Sequence, residues 1–332
     1  MKDIYITKYG KLKRKENTLY FVDLDGNKTY LPVENIENIF CLSNVSITSS
    51  AIKLILKKNI KVHFFQDDFY LGSLLPKQKH QAGFLIIKQV QAYLNKEKRE
   101  YIALSIVDAT RYNMVKVVEK YDELKDHTFT LRNLDVFRRY NELLQNSIKN
   151  VNYMDIIRGI ESEIWSIFYD AIDKILLDHK IEKRTRRPPK NEANAIISFC
   201  NSLLYVITLS EIWKTHLNPT ISFLHEPFER RYSLALDLAE PFKPIITFRT
   251  LIWLVNQKML KERHFERKFD GIFLSREGKK LVITEFNKKL NTTIKLKGSV
   301  RRSIRSLIRK QAYDLERYLI EEVRFEGFKL RY

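Results

Sequence analysis

The sequence predicts an α+β chain, with a small N-terminal β-sheet or β-sandwich domain carrying one helix and then a larger, mainly α-helical domain. Three observations predict it. Short strand-like apolar runs fill residues 3–75, and a polar, aperiodic stretch follows at Pro76-Lys-Gln-Lys-His-Gln. From Ala82 to near Lys261, apolar residues then recur at the helical period over lengths that strands rarely reach. The 332 residues exceed what one hydrophobic core usually covers, so two domains are expected: 1–75, a linker at 76–84, and 85–332.

Ile4-Tyr-Ile, Thr18-Leu-Tyr-Phe-Val, Lys28-Thr-Tyr-Leu, Asn38-Ile-Phe-Cys-Leu and Val62-His-Phe-Phe read as strands, because β-branched and aromatic residues dominate them. Asp25-Gly26 supplies a turn between two of them. One helix interrupts the series: Ser49-Ser-Ala-Ile-Lys-Leu-Ile-Leu-Lys-Lys has helical apolar spacing behind good capping residues. In the second domain, Ile157, Ile160, Ile164, Trp165, Phe168, Ile172 and Ile175 form one helical stripe. Leu234-Ala-Leu-Asp-Leu-Ala-Glu forms another helical segment, with Ser233 as its candidate cap. Lys295 to Lys310 carries seven cations and no acid. On a helix there, Arg301, Arg302, Arg305 and Arg309 share one arc beside apolar Ile304, Leu307 and Ile308.

Fifty-nine Lys and Arg against 40 acids give a formal charge of +19, which points to a polyanion held largely through its phosphates. A basic housekeeping surface is the bland alternative. Residues 1–75 hold 11 basic and 8 acidic side chains, a net of +3, which leaves 48 and 32, or +16, for the remainder. The polyanion is therefore expected on the helical domain and a protein contact on the strand domain. Cys41 and Cys200 support neither a disulfide framework nor a cysteine zinc site, in keeping with a reducing cytoplasm. No signal-like segment and no apolar run of about 18 residues is evident, so no membrane is expected. With nine glycines and no glycine-rich phosphate loop, ATP-driven chemistry is disfavoured.

Glu161 projects near the middle of the apolar stripe and Glu163 falls off its edge. A carboxylate on a buried face needs a partner, a proton or a metal. A buried ion pair with Arg158 or Arg187 is one solution. Asp237 and Glu240, at i and i+3, share a face and repel each other. A divalent cation would remove that repulsion, and His225, in Phe-Leu-His-Glu-Pro, can reach the same point as a neutral imidazole. Taken alone, His225 reads more readily as a hydrogen-bonded core residue, and its company with the carboxylates turns the reading toward ligation. Mixed carboxylate and imidazole ligands suit Mg2+ or Mn2+ acting on phosphate esters better than zinc. The histidines at 63, 80, 127, 179, 216 and 264 show no ligand spacing, and Asp23, Asp25, Asp67 and Asp68 fit turns.

Lys183, Arg184, Arg186, Arg187 and Lys190 crowd a proline-broken stretch that reads as a mobile phosphate-binding loop. Neither this loop nor the C-terminal arginines carry a base-reading signature.

Four motifs follow in order. They are Gly159-Ile-Glu161; Arg184-x-Arg-Arg-Pro-Pro with Asn194-Ala-x-x-Ser-Phe; Phe223-Leu-His225-Glu; and Ser233-Leu-Ala-Leu-Asp237-Leu-Ala-Glu240-Pro-Phe-Lys-Pro. The series resembles the CRISPR-associated integrase of spacer acquisition, the first-numbered Cas protein, along the whole chain and most densely from 158 to 244. That resemblance implies an N-terminal β domain for dimerisation, a helical catalytic domain, and a homodimer that binds the small second-numbered Cas protein and DNA. It further implies metal binding by Glu161, His225 and Glu240, with Asp237 as a supporting acid. The implied reaction is attack by the 3′ hydroxyl of a captured fragment on a phosphodiester at the repeat boundary, with related nuclease activity on branched or linear DNA. Ser162 and Phe248 depart from the usual Gly and Asp of the family, and the stretches at Asn191 and Glu226 look closest to the type I-B branch. A catalytically silent nucleic-acid scaffold, with its acids paired to the arginine loop, is the competing expectation.

Overall fold

Alternating apolar residues in the N-terminal stretch build two four-stranded sheets around a shared core. The computed structural model describes residues 2–77, 82–146, 152–228, 231–268, 270–295 and 300–331. In order come β1 (Lys2–Ile6), β2 (Gly10–Lys15), β3 (Thr18–Asp23), β4 (Lys28–Leu31), β5 (Ile36–Cys41), β6 (Val45–Ile47), α1 (Ser49–Lys57), β7 (Lys61–Gln66) and β8 (Phe69–Leu74). One sheet runs β1-β5-β7-β8, with β1, β5 and β7 parallel and β8 antiparallel. The other runs β4-β3-β2-β6 and is antiparallel except where β6 joins β2. Parallel neighbours need a crossover, and α1 supplies the one from β5 to β7. Thr48 caps α1 by accepting from Ala51 N, and Ala51, Leu54 and Ile55 pack with Leu12, Leu19, Ile39 and Val62.

Residues 261–281 fold into this same unit, whereas the sequence reading places them in the helical domain. They form the hairpin β9 (Phe265–Lys268) and β10 (Gly271–Leu274). Asp68 is the physical reason. It occupies the β7–β8 turn in a left-handed conformation (φ 69°) and is 3% exposed. Its carboxylate accepts from Leu274 N at 2.9 Å and pairs with Lys279 at 2.8 Å. The residue is a turn former, as its sequence context suggests, and also a buried anchor for a distant segment.

The helical unit comprises residues 80–260 and 282–332. Its helices are α2 (Gly83–Leu94), α3 (Lys96–Val118), α4 (Lys125–Asn133), α5 (Val136–Gln145), α6 (Tyr153–Ile175), α7 (Glu192–Ile212), α8 (Ser233–Ala239) and α9 (Arg249–Asn256). α10 (Arg276–Asn291) leads into it, followed by β11 (Thr293–Lys295), β12 (Arg301–Ser303) and α11 (Ile304–Glu321). The expected linker at 76–84 lies partly outside the described residues, and α2 already begins at Gly83. Among the described residues, α7 alone has the length and apolarity to cross a membrane, which corrects the expectation that no such segment exists. Its most apolar stretch is 83% buried inside the fold, as suits a core helix apolar on every side.

Candidate metal centre

Three helical segments and one loop of the helical unit converge on the acidic residues. α6 starts at Asn152, whose side chain accepts from Met154 N, and buries Ile157, Ile160, Ile164, Phe168, Ile172 and Ile175. Glu161 is half-buried on this face, while Glu163 is exposed near Arg139. Beyond α8 the helical path changes pitch twice. Glu240–Phe242 is a 3-10 turn, and Pro244–Phe248 is a π-helical turn that leads into α9. Pro241 and Pro244 lack N–H groups, so a uniform α-helical ladder cannot run through them. The result holds Glu240 at 3% exposure on the inner side of the turn. Ser233 does not cap α8; its hydroxyl instead donates to Thr220 O at 2.9 Å.

The loop before α8 delivers His225. Gln89 of α2 accepts from Asn218 N at 2.7 Å and donates to Asn218 O at 3.1 Å. Ser222 Oγ donates to His225 O at 2.6 Å. Asp237 completes the fixation. Fully buried, its carboxylate accepts from Phe223 N (2.7 Å), Leu224 N (2.9 Å), His225 N (3.0 Å) and His225 Nδ1 (2.8 Å). With Nδ1–H assigned to that carboxylate by the hydrogen-bond pattern, the lone pair of the imidazole lies on Nε2. Asp237 therefore serves the His225 loop with both of its oxygens.

Glu161, His225 and Glu240 each place one donor atom within 4.8 Å of the others. Glu240 Oε1 pairs with Lys243, whereas Oε2 is buried with no hydrogen-bond partner among the described residues. Burial, and next the charge of Glu240, raise the Glu161 pKa to about 7, against the opposing pull of His225 and Lys243. Burial opposes the charged form of His225, but the hydrogen bond and charge of Asp237, with Glu240 and Glu161 behind it, raise its pKa on balance. The cluster is thus short of positive charge and has an orphaned carboxylate oxygen. Two carboxylates and one imidazole nitrogen that converge in this way fit a divalent cation.

Lys243, within Glu240-Pro-Phe-Lys-Pro, joins the cluster although apolar periodicity does not single it out. Its i+3 spacing from Glu240 was the available signal. Its ammonium also lies 5.7 Å from the centre of the Trp165 ring. Phe248 fills the space behind α6, with its ring 5.0 Å from Phe168 and 5.6 Å from Trp165. Arg158 pairs with Asp155 and Glu226.

The basic candidates divide. Lys183, Arg186, Arg187 and Lys190 are exposed. Arg184 turns inward, donating to Asn194 Oδ1 at 2.9 Å and Ser198 Oγ at 3.0 Å, and burial lowers its pKa. The expected mobile loop is pinned at its base, where Asp173 accepts from Ile181 N and Glu182 N, and Asn194 donates to Lys183 O. At the C-terminus, Arg301 and Arg302 lie exposed on β12 and not on a helix, since Ser303 caps α11 after them. Arg305 and Arg309 do lie on α11. Both reach the fully buried Glu211 of α7, at 2.9 and 2.6 Å. Burial alone would raise the Glu211 pKa, but Lys214, Arg305 and Arg309 bring it down to about 2.

A family model described as "CRISPR associated protein Cas1" matches residues 4–288. The CRISPR-associated endonuclease Cas1 of Nanoarchaeum equitans is 54% identical over 340 residues, covering 100% of both chains. A solved Cas1 protein from Thermotoga maritima superposes with a TM-score of 0.83 at 37% identity, covering 99% of this chain and 100% of that one. A casposase bound to integration product shares the fold, with a TM-score of 0.83 at 22% identity over 100% of this chain and 94% of its own.

Proposed function

Because the chain belongs to the Cas1 family of CRISPR-associated proteins, several of whose curated members are named endonucleases, we propose that it is a divalent-metal-dependent DNA endonuclease and integrase that inserts captured fragments into a CRISPR array. The observation that carries this reading is the convergence of Glu161, His225 and Glu240, with one Glu240 oxygen left unpartnered.

Glu161, Glu240 and His225 Nε2 would hold Mg2+ or Mn2+. Bound there, such a cation would supply Lewis-acid chemistry, polarising a phosphoryl oxygen and easing charge on the attacking and departing oxygens. Asp237 keeps the imidazole turned so that Nε2 faces the centre. Lys243 neutralises one oxygen of Glu240 and places a second cation beside the phosphate. Lys183, Arg186, Arg187, Lys190, Arg301 and Arg302 grip DNA phosphates, with Arg184, Arg305 and Arg309 shaping the elements that carry them. The 3′ hydroxyl oxygen of the fragment forms one P–O bond as another breaks, so no nucleotide cofactor is consumed. A homodimer formed through the strand unit and the small second-numbered Cas protein complete the proposed assembly.

The test is incubation of the purified protein and that small partner with labelled fragment and array DNA, with and without Mn2+. Strand transfer is expected only with the metal, and Glu161→Ala, His225→Ala or Glu240→Ala should each abolish it while DNA affinity persists. Full activity in excess chelator overturns the reading.

A further inference from the structure

Glu240 sits in a turn whose carbonyls are held by side chains from far along the chain. Asn113 of α3, fully buried, donates through Nδ2 to Pro241 O at 2.7 Å, one residue after Glu240. The same amide donates to Phe328 O at 2.8 Å and accepts from Leu330 N at 2.7 Å. Gln311 of α11, 2% exposed, donates to Leu238 O at 2.9 Å, two residues before Glu240, and accepts from Phe328 N at 2.6 Å. Each amide thus ties a carbonyl beside Glu240 to the C-terminal segment. A primary amide can do this because it donates and accepts at once.

The C-terminal segment is built to stay there. The Phe328 ring stacks on Phe242 with centroids 4.9 Å apart and planes 4° from parallel. Gly327 approaches α3 so closely that a Cβ would come within 2.6 Å of Ala109 Cβ and 2.7 Å of Ser105 O. Residues 322–331 form no helix or strand, so most of their backbone groups have no regular ladder to join. Carbonyls in the proline-broken turn are in the same position. The two irregular segments satisfy each other through Asn113 and Gln311.

We propose that Asn113 and Gln311 are positioning residues of the metal centre, and that the C-terminal segment, which supplies no ligand, closes a two-amide clamp setting where Glu240 and Asp237 stand. This rests on the metal-centre reading above. Loosening the clamp lets the turn drift relative to Glu161 on α6, which costs metal affinity before it costs the fold.

The experiment is Mn2+ titration of the full-length protein, followed by electron paramagnetic resonance, alongside melting in chelator. Gln311→Met keeps the volume and removes both hydrogen bonds. Leu319→Ala, at a 6% exposed site on the same helix, supplies a destabilised control. Gln311→Met should weaken Mn2+ binding about tenfold or more, as outer-shell partners of metal sites do, while the control stays within about twofold. Unchanged affinity in Gln311→Met, or equal losses in both variants, overturns the clamp. Absence of Mn2+ binding by the unaltered protein is a separate result, which removes the metal-centre reading and the clamp with it. If Gln311→Met does not fold, Phe328→Leu, which removes the ring stacked on Phe242, is expected to weaken binding about threefold. Unaltered binding there also overturns the clamp.

Discussion

Asp237 accepts hydrogen bonds from three backbone N–H groups and one imidazole. An asparagine there must turn its NH2 toward at least one of those donors. Asp237→Asn is expected to lower metal affinity about 10- to 100-fold, measured by Mn2+ titration, through loss of the His225 tautomer and loop geometry. Glu161 sets the pH dependence. Its folded pKa, near 7, is raised, so its stability contribution is intact below the ordinary carboxylate value of 4.5 and disappears as pH rises through about 7. The raised imidazole of His225 has the same sign. In chelator the protein should therefore melt lower at about pH 8 than at about pH 5.5, and Mn2+ should reverse the order, because the metal needs both groups deprotonated. Glu161→Gln should shrink the first effect to the part that His225 supplies and abolish the second, since a ligand is gone. Helical periodicity alone singled out Glu161 over Glu163, so this part of the site was legible in the sequence. The hydrogen-bonding role of Asp237 was not, since it depends on residues 222–225 folding back over α8, a long-range fact that no spacing encodes.

Among elements, the α7–α11 contact is where charge counting and structure part company. Arg301, Arg302, Arg305 and Arg309 look equivalent on a helical projection. In the structure β12 ends at Ser303 and takes the first two, while the last two face Glu211, about a hundred residues away along the chain. Periodicity says which residues share a face, and it cannot say that a face meets a buried carboxylate. The two pairs should behave differently. Changing Arg301 and Arg302 to Ala should leave stability intact and make the salt slope of DNA affinity shallower by about 2. Glu211→Gln removes the charge shared by Lys214, Arg305 and Arg309 and should cost about 3 kcal/mol by chemical denaturation near neutral pH. Its folded pKa of about 2 is depressed, so this contribution is present above 4.5 and is lost as pH falls through about 2. The stability gap between unaltered and Glu211→Gln protein should close on acidification over that window.

At the scale of the whole molecule, the switch from strand to helix composition near Pro76 was readable, and so was the presence of two folding units. The return of residues 261–281 to the strand unit was not. The strands of the β9–β10 hairpin are only four residues each, too short for a periodic signal, and its anchor is a turn aspartate that looks ordinary in sequence. That return also redistributes charge. Counted by unit, the strand unit holds 20 basic and 12 acidic side chains, or +8, leaving 39 and 28, or +11, for the helical unit. The +3 against +16 contrast belongs to the linear sequence and softens once the chain folds. Asp68→Ala should loosen the hairpin specifically, raising hydrogen exchange at Phe265–Lys268 and Gly271–Leu274 while α6 and α7 stay protected. The same anchor bears on the order of synthesis. The first strands leave the ribosome well before Leu274 and Lys279 exist to meet Asp68, so a buried carboxylate waits without its partners while some two hundred further residues are made. The domain that begins the chain is among the last parts of it to be finished.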